Sequence, residues 1–345
     1  LASRSPGQSD TDIKCWQPPT DEHLHAPPQT KPTPPMNQQA KLQIEQRCAY
    51  LRANHNHLTI DADAHATDIK KYPRPNTPHY YHGRPLSSEE LIEEMNQAQV
   101  SMANIWQNPA ATLYTVDPEE NYSNLLEANR YIHQSALTHP TRFIPSGWTD
   151  PKACGIPNAC RIAEQCVTEF GFLIVKMNPA QNKYPIDSPA VLEVLDCIVE
   201  LGAIPAFHYG ADSPFTPASG LATIARRHPN HPILAVHMGG GGASYLEAED
   251  QYQQSRELGL ELPNIHYALS ALRDTHIESN IRAYQGEASR RLFCASDAPY
   301  GRMSWNFGGF RAMLQTLNLD PQPYLGQNFA DFILAGYEHL LSKHE

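Results

Sequence analysis

From residue 57 onward, short apolar runs of strand length alternate with longer stretches whose apolar positions recur at helical spacing. The short runs are HLTIDADAH (57–65), VSMANIWQN (100–108), RFIPSGWTD (142–150) and FLIVKMN (172–178), then AIPAFHYG (203–210), ILAVHMGG (233–240), IHYALSA (265–271) and LFCASDAP (292–299). Helical segments fall between most of them. SSEELIEEMNQAQ opens with a Ser87/Glu90 capping box, and SPAVLEVLDCIVELG has Pro189 in its first turn and Gly202 at its stop. ASYLEAEDQYQQSREL is a third. Eight strands, most followed by a helix, predict an α/β protein of the (β/α)8 TIM-barrel class, whose usual size is about 250 residues. A doubly wound open sheet wants a glycine-rich phosphate loop after its first strand, and IDADAHATD is not one.

Residues 1–56 break this rhythm. Pro-Pro pairs at 18–19, 27–28 and 34–35 sit among polar residues, which predicts an extended proline-rich arm with one short helix around 37–53. The expected division is therefore 1–56 for the arm and 57–345 for the barrel, with the arm a candidate clasp for a homo-oligomer. The sequence starts at Leu1 without Met or an apolar signal core, as a processed or trimmed chain would, and the expected location is cytoplasmic. A formal charge of −11 disfavours nucleic acid and anionic membrane as partners, and no run of about 18 apolar residues is present to cross a bilayer. The seven cysteines form no CxxC pair and do not read as a disulfide scaffold. Free thiols in a reducing compartment are expected, with a Cys15–Cys48 bridge the alternative in an exported protein.

The chemistry gathers at the strand ends, where barrels build active sites. In IDADAH, residues two apart point the same way, so Asp61, Asp63 and His65 share a face. The following strands end in Gln107 and Asn108, Trp148 and Asp150, Lys176 and Asn178, His208, His237, Ser270 and Asp297. Titratable or metal-competent groups at matching positions of unconnected strands are not needed by a purely structural barrel. A cation held by carboxylates and imidazoles, with one position open, lowers the pKa of bound water from about 15.7 toward 7. Asp297 then accepts a proton and His237 stabilises developing negative charge. The glycines from Gly239 to Gly242 let substrate or backbone approach closely.

IDADAH, AFHYG, AVHMGGGG and CASDAPYG, in this order and on these strands, resemble the amidohydrolase superfamily. The nearest branch is the amidohydrolase-related one that includes aminocarboxymuconate-semialdehyde decarboxylase, over roughly residues 57 to 340. The resemblance implies metal ligation by Asp63, His65, His208 and Asp297, with His237 as the residue that polarises water or moves a proton. His-x-His or Glu-x-His is usual on the first strand, so Asp63 departs from the pattern. One divalent ion per chain is implied, Zn²⁺ first and Mn²⁺ second. Lys176 corresponds in position to the carboxylated lysine that bridges two metals in binuclear members; the other readings are an internally paired lysine and a grip on a substrate carboxylate. The implied activity is hydrolysis of an amide, ester or lactone, with cofactor-independent decarboxylation of an unsaturated or aromatic acid as the alternative. A barrel that has lost activity and only binds is the third reading.

Arg273 and Arg302, just after the last two strands, are candidates to hold a substrate carboxylate, set against plain surface salt bridges. Trp148, with Trp106 and Trp305, is a candidate wall for a small-molecule substrate. Asp150 suits a helix N-cap, and Asp61 a supporting hydrogen-bond role. Among the 17 histidines, His23-x-His25 and His55-x-His57 have metal-like spacing in the wrong place, the first in the proline-rich arm and the second at the N-terminal end of the strands.

Overall fold

The computed structural model describes residues 34–71, 85–112, 114–210, 214–240 and 249–345. Nine short strands appear among them: β1 (Ile60–Ala66), β2 (Met102–Gln107), β3 (Phe143–Pro145), β4 (Gly147–Trp148), β5 (Ile174–Met177), β6 (Ile204–His208), β7 (Ile233–Val236), β8 (Ile265–Leu269) and β9 (Leu292–Cys294). All pairings are parallel and follow chain order, β1-β2-β3 and then β4 through β9. β3 and β4 are one barrel stave interrupted at Ser146, whose N–H reaches back to the Ile105 carbonyl at 2.9 Å. Past β9 the chain returns to β1: Asp297 N–H donates to the Asp63 carbonyl at 2.9 Å, and His65 N–H to the Ala298 carbonyl at 2.7 Å. A parallel bridge joins Ala64 and Ala298. The result is the eight-stave α/β barrel that the alternation predicts.

Strands buried on both faces need continuous apolar runs, and β1, β2, β5 and β7 are buried at every position. The helices supply the outer layer. Along Ile156–Thr168 the buried apolar side chains are Ala159, Ile162, Ala163, Cys166 and Val167, one stripe at 3.6-residue spacing. Each large aliphatic buried this way contributes roughly 1.5–3 kcal/mol. The Ser87/Glu90 capping box is formed in both directions.

Helix Gln38–Asn54 belongs to the same compact unit, Thr33–Glu345. Its stripe of Ala40, Ile44, Cys48 and Leu51 is buried, and Arg47 donates to Tyr337 Oη at 2.8 Å on the last helix, Asn328–Lys343. It also crosses the turn into β5, where a side chain on Gly171 would meet the Ala40 carbonyl at 3.2 Å, and Gly171 has φ +67°. This end of the barrel lies opposite the strand C-termini. His55 is there as well, paired with Asp331 at 2.7 Å, which removes it from any strand-end site. The rest of the proline-rich arm, with Cys15, His23, His25 and the expected clasp, lies outside the described residues.

The cysteines depart from expectation. Cys160 and Cys197 form a disulfide between helices Ile156–Thr168 and Pro189–Glu200, with Cα atoms 5.8 Å apart, so not all thiols are free. They lie 37 residues apart in sequence and meet only because the helices flanking one strand are neighbours, which spacing alone does not reveal. Cys48, Cys154, Cys166 and Cys294 are buried free thiols. No described helix is long and apolar enough to cross a membrane.

Candidate metal centre

β1 is buried along its whole length yet carries three polar side chains, and each has a distinct task. The Asp61 carboxylate accepts from Ser296 N–H at 2.9 Å, from the Ser296 hydroxyl, and from Asp63 N–H at 3.1 Å. It ties β1 to the segment after β9 and so sets where Asp297 stands. Asp63 accepts from Trp106 Nε1 at 2.9 Å on one oxygen and from the Ser270 hydroxyl at 2.7 Å on the other. Lys176 Nζ lies 3.4 Å from the first oxygen and sits over the Trp106 ring at 3.9 Å, with Trp148 at 5.3 Å.

These surroundings drive the two carboxyls of β1 apart. Burial raises Asp61 to about 8, against its hydrogen bonds from Ser296 and Asp63. Burial would raise Asp63 too, but Lys176, His237, His65 and the Ser270 hydroxyl together hold it well below the ordinary carboxylate range. Asp63 is the ionised member. Burial pushes the Lys176 ammonium down, and the charges of Asp63 and Asp297 only partly offset that.

His65 decides the character of the centre. Its Nδ1 lies 2.8 Å from the Gln107 carbonyl, an acceptor only, so Nδ1 carries the proton. In the neutral ring, Nε2 then points a lone pair at Asp297 Oδ1, 3.2 Å away, and at Asp63 Oδ1, 3.8 Å away. Three acceptors turned on one another are unfavourable without a positive charge between them. Asp63, His65 and Asp297 each offer a ligand atom within 4.8 Å of the others, the one such group among the described residues. This donor set fits a divalent cation.

Asp297 reaches the group through a left-handed backbone, φ +57°, and closes a turn by accepting from Tyr300 N–H at 2.7 Å. Its side chain keeps 15 % exposure, against 0 % for Asp63 and 2 % for His65, so it is the member in touch with the mouth. His237 also turns out of its strand with positive φ, +80°, and its Nδ1 lies 2.9 Å from Ser270 Oγ. Ser270 thus links His237 to Asp63. Burial, foremost, lowers His237 to about 4, giving a neutral imidazole at neutral pH.

His208, the remaining expected ligand, ends β6 outside the 4.8 Å group, its ring edge-on to His237 at 4.6 Å between centroids. Lys176 has an internal ion-pair partner in Asp63. Trp148 is fully buried and its Nε1 has no hydrogen-bond partner among the described residues. Arg302 is exposed, over the Trp305 ring at 5.5 Å, in a groove that also carries Glu90, Glu93, Glu94 and Tyr300. Three carboxylates make that groove a poor host for a substrate carboxylate. Arg273 lines a separate cavity. Gly239 and Gly240 are needed by the protein's own packing, since side chains there would collide with Ser255 Oγ at 2.4 Å and the Ala271 carbonyl at 2.7 Å. Gly241 and Gly242 lie outside the described residues.

Sequence reasoning named Ser270 and Gln107 as strand ends without giving them tasks. Ser270 orients two site residues, and the Gln107 carbonyl fixes the His65 tautomer. Their position at strand ends was the available signal; the partners are tertiary.

Residues 21–302 match the sequence model of the amidohydrolase family. The chain belongs to the amidohydrolase family. As a member it is an enzyme of the amidohydrolase type, a class that spans hydrolases and decarboxylases. A search of curated proteins found no match. Among solved structures, 2,6-dihydroxybenzoate decarboxylase from Rhizobium is 14% identical with a TM-score of 0.60, over 81% of this chain and 98% of that one. A 5-carboxyvanillate decarboxylase from Novosphingobium aromaticivorans, complexed with manganese and 4-hydroxy-3-methoxy-5-nitrobenzoic acid, is 16% identical with a TM-score of 0.62, over 81% and 97%. A dihydroxybenzoic acid decarboxylase from Polaromonas, with manganese and 2-nitroresorcinol, is 15% identical with a TM-score of 0.59, over 81% and 97%. At these identities the likeness is one of fold.

Asp150, at the end of β4, caps helix Pro151–Cys154 through bonds from Lys152 N–H at 2.9 Å and Ala153 N–H at 2.8 Å. Burial, foremost, raises its carboxyl to about 6. A folded-state pKa above the unfolded value of about 3.9 means that stability is lost as pH rises from about 4 to about 6. Asp150→Asn keeps the cap acceptor and removes the buried charge. It should gain on the order of 1–3 kcal/mol near pH 7 and little near pH 4, read from urea unfolding at both pH values. An equal gain at both would refute the assignment.

Proposed function

We propose that this enzyme is a divalent-metal-dependent decarboxylase acting on a small aromatic or unsaturated carboxylic acid. The observation that carries the reading is a centre largely buried, open to solvent at Asp297, yet rich in fixed charge. Asp63, His65, Lys176 and Ser270 are all at or below 2 % exposure, behind Trp106 and Trp148. Loss of CO₂ consumes no water, and it removes a charged carboxylate that such surroundings disfavour relative to the neutral product. The decarboxylases of like fold, two of them with manganese and an aromatic ligand, support the same choice.

Asp63, His65 and Asp297 would hold the ion, with His208 adjoining. Two carboxylates and one imidazole suit Mn²⁺ as well as Zn²⁺. The ion supplies positive charge against substrate oxygen atoms. Asp63 is kept ionised for this task by Lys176 and Ser270. As the carbon–carboxyl bond breaks, its electron pair stays on the substrate carbon, which takes up a proton in place of CO₂. His237, neutral and held by Ser270, stands beside that place and feels the charge of Asp297. Asp297, the half-buried member nearest the mouth, would connect proton traffic to solvent.

The test is CO₂ release from 2,6-dihydroxybenzoate, 5-carboxyvanillate and related acids with Mn²⁺ or Zn²⁺, run beside a panel of esters, amides and lactones. Metal-dependent CO₂ release from an acid is expected. Turnover of an ester, amide or lactone with no CO₂ from any acid would replace this reading with the hydrolase one.

A further inference from the structure

We propose that the cavity between helices Glu249–Glu261 and Asp274–Ala283 binds a small oxyanion, a carboxylate or phosphate group, at a site separate from the metal centre. The cavity has a volume of about 300 Å³. Arg256 and Arg273 both line it, and no Asp or Glu is among its described lining residues, in a chain whose formal charge is −11. Arg256 donates to Ser279 Oγ at 2.6 Å, which fixes one side of its guanidinium and leaves further N–H groups for a ligand.

The second, independent observation is Asn280. It is 2 % exposed, it lines the cavity, and its Nδ2 has no hydrogen-bond partner among the described residues. A buried amide donor without a partner costs free energy that an oxyanion in the cavity would recover. Arg273 is the N-cap residue of helix Asp274–Ala283, so the positive end of that helix faces the same space, with Thr275 in its first turn. Guanidinium groups, an amide N–H₂ and a helix N-terminus are all donors, and an oxyanion is all acceptor.

Among the described residues, Asp63, His65 and Asp297 do not line this cavity, so the proposal does not rest on which reaction the barrel performs. Both helices follow strands, β7 and β8, and begin at the end of the barrel that carries the metal centre. Arg273, expected from the sequence to grip a substrate carboxylate, lines this cavity.

The test is isothermal titration calorimetry of the full chain at low salt with inorganic phosphate and, separately, acetate, before and after removal of metal by a chelator. Saturable binding of at least one anion is expected, unchanged by chelation and weakened about tenfold or more by Arg256→Met and by Asn280→Leu. Tighter phosphate binding would point to a phosphorylated ligand, and tighter acetate binding to a carboxylate. Should Arg256→Met fail to fold, Asn280→Leu, with the same number and branching of side-chain heavy atoms, carries the test alone. No saturable binding by the native chain, binding lost on chelation, or native affinity in the folded variants would each overturn the proposal.

Discussion

Asp297→Asn, assayed at saturating Mn²⁺ or Zn²⁺, is expected to lose about 10³-fold in kcat while its far-ultraviolet circular dichroism stays native. The substitution keeps shape and removes only charge and basicity. Nothing else among the described residues replaces it: Asp63 is wrapped by Trp106, Ser270 and Lys176, whereas Asp297 faces the mouth. Its weight also follows from its backbone. A left-handed non-glycine residue on a turn, held by the Asp63 carbonyl, is a conformation the fold maintains at a cost. Metal affinity should fall as well, because one of three converging acceptors becomes a neutral amide. Activity within tenfold of native at saturating metal would remove Asp297 from the chemistry.

The second large effect is on stability. Lys176→Met, measured in chelated protein by urea unfolding, should cost about 3–5 kcal/mol, because it leaves Asp63 buried with its nearest cation gone. The double change Lys176→Met with Asp63→Asn should recover much of that loss, since it removes the stranded charge along with its partner. Addition of Mn²⁺ or Zn²⁺ to the single variant should also restore stability, the ion taking over the compensation of Asp63. A loss below about 1 kcal/mol in the single variant would mean that the Asp63 carboxyl does not need Lys176.

The barrel was legible because its two periods are visible in the chain: near-continuous apolar runs for strands buried on both faces, and stripes such as Val191, Val194, Leu195 and Ile198 for the helices around them. The stave broken at Ser146 was not, since RFIPSGWTD reads as one strand and the interruption depends on neighbours. At the site, period two was enough to bring Asp61, Asp63 and His65 together. What each does was not contained in the period. Asp61 works through Ser296, 235 residues away, and Asp63 through Ser270, 207 residues away. Arg302 and Trp305 show the opposite limit. Proximity in sequence to the last strand suggested the mouth, and both line an acidic groove shared with Ala298 and Tyr300, whose three glutamates come from a helix that sequence proximity does not reveal.

His65 is where sequence pattern and geometry meet. Its place in IDADAH suggests a ligand, and the Gln107 carbonyl at 2.8 Å suits it to that role by fixing which nitrogen bears the lone pair. The most direct measurement on this centre is therefore the metal content of the purified, unchelated protein by inductively coupled plasma mass spectrometry, beside Asp63→Asn and His65→Ala. One divalent ion per chain in the native protein, sharply reduced in both variants, is the expected result. Content near zero in the native protein, persisting after incubation with Mn²⁺ and Zn²⁺, would contradict it.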